Sequence, residues 1–388
     1  MDEHVIKTYL RAAPVFVHGE GATLVDSDGK EYLDFLGGIA VSALGHNHPE
    51  LVAALSEQLG KVMHVSNLYR HPYTEEVARR ITRLAGMAEV FFCNSGTEAN
   101  EAALKLALKY HFTKDTRRRD FVALQGAFHG RTLGALAVTH KASFREPFSA
   151  LESNVTFVPR DDIDGLRAAI ATNPAALILE PIQGEAGIHE LSAEFLQAAR
   201  QACTDSDTIL IHDEIQTGAG RTGTFLCAQH ADVTPDIATL AKPIAAGVPM
   251  GLTLISDKLS GTFVPGDHGS TFAGGPLACR AALVLLEQLL EGGLQDHVVE
   301  MGTHLSSALD SLVAAHPLVL ARRGRGLMQA IQLDPRVDAP TLKDLLLESG
   351  LIVNATGPDT IRVLPPSVVQ RSQIDYAVKI LRQGIDAL

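Results

Sequence analysis

The chain has 388 residues, 46% of them hydrophobic and 20% charged, with a formal net charge of −12. That length buries a large core, and the acidic balance argues against a general nucleic-acid or membrane-surface partner. No apolar run is long enough to span a bilayer, and the N-terminal stretch beginning Met1-Asp2-Glu3-His4 has no basic-then-apolar leader pattern, so a cytoplasmic protein is expected. Cys93, Cys203, Cys227 and Cys279 lie far apart without a C-x-x-C pair, which predicts reduced, mostly buried thiols.

In chain order, "TLVDSDGKEYLDFL" alternates apolar and polar residues on both sides of Asp28-Gly29, a hairpin signal. From about residue 50, helix and strand alternate. Short apolar runs at 90–93, 121–124, 155–158, 176–179, 208–211, 237–240 and 252–255 predict strands. Amphipathic segments such as 98–110 and 193–204 predict helices between them. This rhythm predicts an α/β fold with a mainly parallel seven-stranded sheet covered on both faces. Beyond about residue 280 it changes to helices at 276–290 and 298–314, strands near Val319 and Met328, another helix, and a final strand near Arg362. The expected division is an N-terminal segment, 1–49, joining a small domain; a large domain, 50–275; and a small α+β domain, 276–388.

"TILIHDEIQTGAGRTG" contains a literal G-x-G-x-x-G after an apolar run, the spelling of a dinucleotide site. In such a site the strand turns directly into the glycines, with an acid closing the next strand. Here Asp213-Glu214-Ile215-Gln216-Thr217 intervenes, and Asp236 precedes the following apolar run instead of ending it. An NAD-dependent oxidoreductase is therefore the distant alternative. The glycines read better as a sharply turning loop.

Asp213 at the end of one strand and Lys242 at the end of the next would both face the carboxyl edge of a parallel sheet, where ligands bind. A lysine there can form a Schiff base, and an aspartate can hold the protonated ring nitrogen of pyridoxal phosphate. Taken singly, the pair could equally be a surface lysine and a solvated carboxylate. Three further segments suit the same cofactor. In "FFCNSGTEANEAALKLAL", Ser95-x-x-Glu98 is a capping-box pattern, and the helix start with Gly96 and Thr97 could cradle a phosphate. In "GAFHGRT", Phe128 can stack on a flat ring and Arg131 can clamp a carboxylate. In "HGSTFAGGPLACR", Ser270 and Thr271 precede another helix start.

These residues resemble the class-III pyridoxal-phosphate aminotransferases, acetylornithine aminotransferase subgroup, over nearly the whole chain. The likeness also covers "EYLDFLGGIAVSALGHNHPELVAAL", "HVSNLYRHPYTEEVA", "ILEPIQGEAG", "PDIATLAK" and "IRVLPP". It implies a fold-type I homodimer with active sites at the subunit interface. Lys242 would carry the cofactor and move the proton, Asp213 would pair with the ring nitrogen, and Gln216 would touch the phenolic oxygen. Phe128 would stack on the ring; Gly96, Thr97 and the neighbouring subunit's Thr271 would hold the phosphate. Arg131 and Ser270 would contact the substrate. Ser42, the "KPIAAGVP" run and Gly275 depart from the family pattern and bear on substrate placement.

The implied reaction, in arginine biosynthesis, moves the terminal amino group of N-acetylornithine to 2-oxoglutarate. One pocket must then accept a donor carbon without a carboxylate and an acceptor carbon that carries one. Arg362 is the candidate cation for the acceptor, and Glu185 the candidate partner that neutralises it when the donor is bound; an ordinary structural ion pair is the alternative. Other ω-amines (ornithine, succinylornithine, 4-aminobutyrate, a carrier-bound lysine precursor) remain alternative donors, and an aminomutase or decarboxylase an alternative chemistry. Glu180 reads as support for the sheet edge, Asn67 and Tyr69 as pocket or loop residues, and His129 as packing beside the cofactor. His46 and His48 lack nearby acidic or sulfur ligands, so no metal is expected.

Overall fold

The computed structural model describes residues 4–151 and 154–388, with residues 149–151 described by backbone alone. Residues 1–3, part of the N-terminal stretch read above, lie outside the described residues.

The seven apolar runs form one sheet, in the order Glu89–Cys93, Gly251–Ile255, Ile237–Leu240, Ile209–Asp213, Ala176–Leu179, Phe121–Leu124, Val155–Val158. Gly251–Ile255 is antiparallel to both its neighbours; the other strands run one way. Every residue of Ile209–Asp213 and of Ala176–Leu179 is buried, which is why these runs are apolar throughout instead of alternating.

Side-chain alternation along Ile209–Asp213 sets which helix each residue meets. Ile209 and Ile211 pack in a cluster with Ala103, Leu106 and Ala107 of the helix Gly96–Thr113. Leu210 packs on the opposite face, with Leu166 of Ile163–Ile170 and Phe195 of Ala193–Ser206. Asp213 continues the first series and faces the Gly96–Thr113 helix; His212 continues the second.

The helix Pro276–Leu290, expected at the head of the C-terminal block, packs instead in the core of the large sheet. Leu283, Val284, Leu285 and Leu286 cluster with Leu240, Ile244, Leu252 and Leu254. The helix is apolar on most of its circumference, so it needs two partners, and the small sheet alone does not supply them. From Val298 onward most buried apolar residues belong to a second core, while Met328, Ala330 and Leu364 pack with Ala40, Ile182, Ile188 and Cys227. It is built on the antiparallel strands Val319–Arg325, Met328–Leu333, Thr360–Val363 and Asn354–Ala355. The helices Leu294–Ala315, Ala339–Glu348 and Arg371–Asp386 cover it. The last of these had no sequence expectation, although Ile374, Ala377, Ile380, Leu381 and Ile385 repeat at helical spacing.

The N-terminal hairpin forms from Thr23–Asp26 and Glu31–Asp34. Its turn is held by Asp26, whose Oδ1 accepts the N–H of Asp28 and of Lys30, both at 2.9 Å, while Gly29 supplies φ +82°. Leu351–Ile352 adds in parallel to Glu31–Asp34, and Ala22, Leu33 and Phe35 enter the second core. All four cysteines are free and buried.

Candidate active site

The strand Ile209–Asp213 delivers a carboxylate to the carboxyl edge of the sheet, and the surrounding elements fix its orientation. Asp213 Oδ2 accepts Asn100 Nδ2 and His129 Nδ1, both at 2.8 Å, and Oδ1 accepts the Ile215 N–H at 3.1 Å. Asn100 sits on the facing helix and also donates to the His129 carbonyl at 2.7 Å, while its own Oδ1 accepts Thr239 Oγ1 at 2.8 Å. Buried polar groups paired this completely hold one geometry. His129 Nε2 is buried and has no partner.

Lys242 follows the next strand, Ile237–Leu240, and lines the same cavity as Asp213. Its φ of +38° is rarely adopted outside glycine, and Pro243 follows it. Burial pushes the Lys242 ammonium below its ordinary pKa; Glu185 opposes that shift and Arg362 adds to it. The neutral amine that nucleophilic and proton-transfer chemistry requires is thereby favoured.

Ser95 caps the helix Gly96–Thr113, its Oγ accepting the Glu98 N–H at 3.3 Å. The reciprocal half of the expected capping box is displaced by one residue: Glu98 Oε2 accepts the N–H of Asn94, at 2.5 Å, instead of that of Ser95. The N–H groups of Gly96 and Thr97 have no intrahelical acceptor and line the cavity. A Cβ at Gly96 would approach Ile215 Cδ1 to 2.8 Å, so glycine permits this close meeting of the helix start and the Asp213 loop. Thr97 Oγ1 accepts the N–H of Arg131 and of Thr132, both at 3.2 Å, and ties the phosphate-type cradle to the Phe128–Arg131 segment.

The far wall carries a charged network. Arg362 Nη1 donates to Glu185 Oε1 at 2.6 Å, to the Gly184 carbonyl at 3.0 Å and to Gln216 Oε1 at 3.2 Å; Nη2 donates to Asn354 Oδ1 at 2.9 Å. Burial raises the Glu185 carboxyl, but Arg362 and, more weakly, Lys242 hold it below its usual range. Glu180 is buried beside it and accepts the N–H of Phe128 at 2.9 Å and of Gly184 at 3.1 Å, so it braces two loops of the cavity. Burial, with the Asp213 charge adding, pushes Glu180 up to about 7 against the pull of His129.

Arg131 lines the cavity with its guanidinium carbon 3.7 Å from the Phe144 ring centre and 5.5 Å from that of Phe128. Within one chain, Ser270 and Thr271 do not line this cavity. Ser270 Oγ accepts Asn94 Nδ2 at 2.8 Å, one residue removed from the helix start, and Thr271 is exposed. Asn67 donates to the Ser270 carbonyl at 2.9 Å, and Tyr69 is exposed. His46 bonds to Asp34 at 2.9 Å. Among the described residues, no group of three or more His, Cys, Asp or Glu side chains is arranged for a metal. Val248 and Pro249 of the "KPIAAGVP" run line the cavity, whereas Asn100, Phe144, Asn354 and the lining residue Met250 escaped the sequence reading, because nothing in their spacing marks them before the chain folds.

The cavity encloses about 420 Å³ and is lined by Lys242, Asp213, Phe128, Gln216, Gly96 and Thr97 together. Its donor set fits pyridoxal phosphate: an amine, an oriented carboxylate, an aromatic face, and a helix start with free N–H groups. Residues 8–385 match the family model described as "Aminotransferase class-III". The chain is a class-III aminotransferase. Enzymes of this family depend on pyridoxal phosphate, and the residues of the cavity are suited to hold it.

This aminotransferase is 43% identical over 383 residues to acetylornithine aminotransferase 1 of Bordetella pertussis, covering 98% of this chain and 97% of that one. It is 41% identical to acetylornithine aminotransferase of Aquifex aeolicus, covering 98% and 99%. Among solved structures, ornithine aminotransferase from Toxoplasma gondii ME49 superposes with a TM-score of 0.94 at 31% identity, covering 99% and 93%. N-acetylornithine aminotransferase from Stenotrophomonas maltophilia K279a gives 0.84 at 32% identity, covering 96% of both chains. The fold is that of the fold-type I pyridoxal-phosphate transferases.

Proposed function

We propose that this aminotransferase moves the terminal amino group of N-acetylornithine to 2-oxoglutarate, giving N-acetylglutamate 5-semialdehyde and glutamate in arginine biosynthesis, as a cytoplasmic homodimer with shared active sites. One observation carries the reading: Arg362, buried behind the cavity-lining Glu185 and Gln216, is masked by Glu185 at 2.6 Å. A donor whose reacting carbon is a plain methylene meets a neutral wall there. An acceptor with a carboxylate on that carbon finds a guanidinium once Glu185 moves aside.

Bound pyridoxal phosphate supplies an electron sink for charge developing on the reacting carbon. Asp213, held by Asn100, His129 and the Ile215 N–H, would pair with the ring nitrogen. Phe128 would offer a face to the ring, Gln216 would serve its phenolic oxygen, and the N–H groups of Gly96 and Thr97 would hold the phosphate. Lys242 Nζ removes the proton from the donor carbon and holds it for return, a contribution of roughly 10²–10⁴-fold for a positioned base. Arg131 takes the carboxylate distant from the reacting carbon, with Ser270 nearby.

Exposure of Thr271, Phe272, Leu68 and Tyr69 on one side of the site supports a second subunit there, with its Thr271 completing the phosphate cradle. Among the described residues, no helix is long and apolar enough to cross a membrane. The names carried by the Bordetella and Aquifex relatives support acetylornithine as donor. The Toxoplasma structure favours ornithine as a second reading. A panel of amine donors with 2-oxoglutarate, measured as kcat/KM, tests the choice: N-acetylornithine is expected to exceed ornithine, succinylornithine and 4-aminobutyrate, and a higher value for any of them overturns the assignment.

A further inference from the structure

Arg221, the arginine of "GAGRTG", is 1% exposed and ranks among the largest fully buried side chains. Its Nη1 donates to the Pro365 carbonyl at 2.5 Å and, at 3.5 Å, to that of Leu327; Nε and Nη2 are buried with no partner among the described residues. A buried guanidinium satisfied only by carbonyls is expensive, because no opposite charge repays its desolvation. Burial alone lowers it to about 10. Stability by itself does not explain such a side chain.

Its partners lie on the other core. Pro365 stands three residues beyond Arg362 on the chain leaving the strand Thr360–Val363, and Leu327 opens the strand pair that supports it. The backbone interlocks as well: the Leu327 N–H donates to the Arg221 carbonyl at 3.1 Å. A Cβ at Gly326 would come within 2.7 Å of that carbonyl and 2.8 Å of Thr222 Cα, so the two loops meet without space for any larger residue. Meanwhile Gln216, earlier in the same loop, accepts Arg362 Nη1 at 3.2 Å. One loop therefore carries the ring-nitrogen carboxylate, a contact to the substrate cation, and the fastening of the strand that bears that cation.

We propose that Arg221 is a positioning residue for Arg362: by pinning the Pro365 and Leu327 carbonyls to the Asp213–Gln216 loop, it sets where the Arg362 guanidinium lies relative to the cofactor when a carboxylate replaces Glu185. This rests on the reading of Arg362 as the carboxylate-binding cation of the acceptor step. The donor step keeps Arg362 masked and does not use that placement. Arg221 is thus a determinant of acceptor use, outside the cavity itself.

The test measures the two half-reactions separately, by single-turnover absorbance of the cofactor-loaded enzyme. N-acetylornithine drives one and glutamate the reverse of the other, in wild type, Arg221→Lys, Arg221→Met and Arg362→Gln. The quantity read is the ratio of the two rates per loaded site, which does not depend on how much protein folds. Both Arg221 variants are expected to slow the glutamate half-reaction about tenfold or more relative to the other, since misplacement by about 1 Å can cost about 10²-fold. Lys, which retains a donor, is expected to lose less than Met. If Arg362→Gln is selective against glutamate but both Arg221 variants leave the ratio unchanged, the positioning role is overturned and Arg221 merely joins the two cores. If Arg362→Gln itself leaves the ratio unchanged, the reading of Arg362 fails, and the inference falls with it.

Discussion

Arg362 donates to Glu185 at 2.6 Å, yet the two side chains are unequally exposed, 1% for the arginine against 37% for the glutamate. The arginine is further tied to Asn354, Gln216 and the Gly184 carbonyl, whereas among the described residues the glutamate's one other side-chain hydrogen bond is from Gln216 Nε2, at 3.4 Å. The geometry makes Glu185 the partner free to leave and Arg362 the fixed post. Under the proposed function, rotation of this one half-exposed carboxylate would uncover the Arg362 charge for an acceptor.

Replacing that carboxylate separates the two half-reactions. Glu185→Gln leaves Arg362 without a neutralising charge, so the donor half-reaction is expected to slow about tenfold, equivalent to about 1.4 kcal/mol. The glutamate half-reaction is expected to hold or speed up. Equal losses in both, measured by single-turnover absorbance, would instead mark a structural ion pair.

Lys242→Ala removes the one amine of the cavity wall. Turnover is expected to fall to background, and the absorbance band of a lysine Schiff base to disappear. Wild-type cycling by this variant rules out the assignment of Lys242.

Phe144 stacks at 3.7 Å on Arg131, the carboxylate clamp of the proposed function. Stacking of this kind contributes about 0.5–1 kcal/mol at an exposed site, so Phe144→Leu is expected to raise KM for N-acetylornithine about two- to fivefold with kcat nearly unchanged. Phe144→Tyr should restore it. A fall in kcat with KM constant contradicts a role in binding.

Asn100 orders the Asp213 carboxylate through a buried bond of 2.8 Å. Asn100→Ala leaves the His129 carbonyl and Thr239 hydroxyl without this partner, at about 1–3 kcal/mol. The expected result is a lower melting temperature together with weaker retention of cofactor on dialysis. Unchanged retention means that His129 and the Ile215 N–H hold Asp213 unaided.

His212 lies on the opposite face of the same strand, fully buried, and neither ring nitrogen has a partner among the described residues. Burial lowers its pKa to about 3. A base with a depressed folded pKa stays neutral in the native state while the unfolded chain takes up a proton below about 6.5. Stability from this group is full above about 6.5 and falls as pH drops toward 3. His212→Leu is therefore expected to flatten the loss of melting temperature between about pH 7 and pH 4.5, compared with wild type. Parallel curves for the two proteins contradict the neutral buried state.

Much was legible before folding because the signals are local. Seven short apolar runs bounded by polar residues specified the large sheet, since strands buried on both faces cannot alternate. Ser95-Gly96-Thr97 marked a helix start, and Asp213 and Lys242 fell at adjacent strand ends, which places both at one edge of a parallel sheet. Their bringing together with Gln216, Phe128 and Arg131 follows from that topology. The helix Pro276–Leu290 was harder, because an almost uniformly apolar surface states that it is buried but not against what.

Sequence alone determined the sheet, the edge at which chemistry occurs, and the residue types delivered there, because period, caps and strand ends are properties of neighbouring residues. Tertiary structure decided which long-range pairs form. Asn100 with Asp213, Phe144 with Arg131, Asn354 with Arg362 and Arg221 with Pro365 each join segments whose meeting depends on how helices and strands pack. A hydrogen bond of about 3 Å demands a relative placement that spacing along the chain does not encode. The "GAGRTG" segment shows the difference: its letters spell a nucleotide loop, while its packed arginine bonds to the chain leaving the strand that bears Arg362.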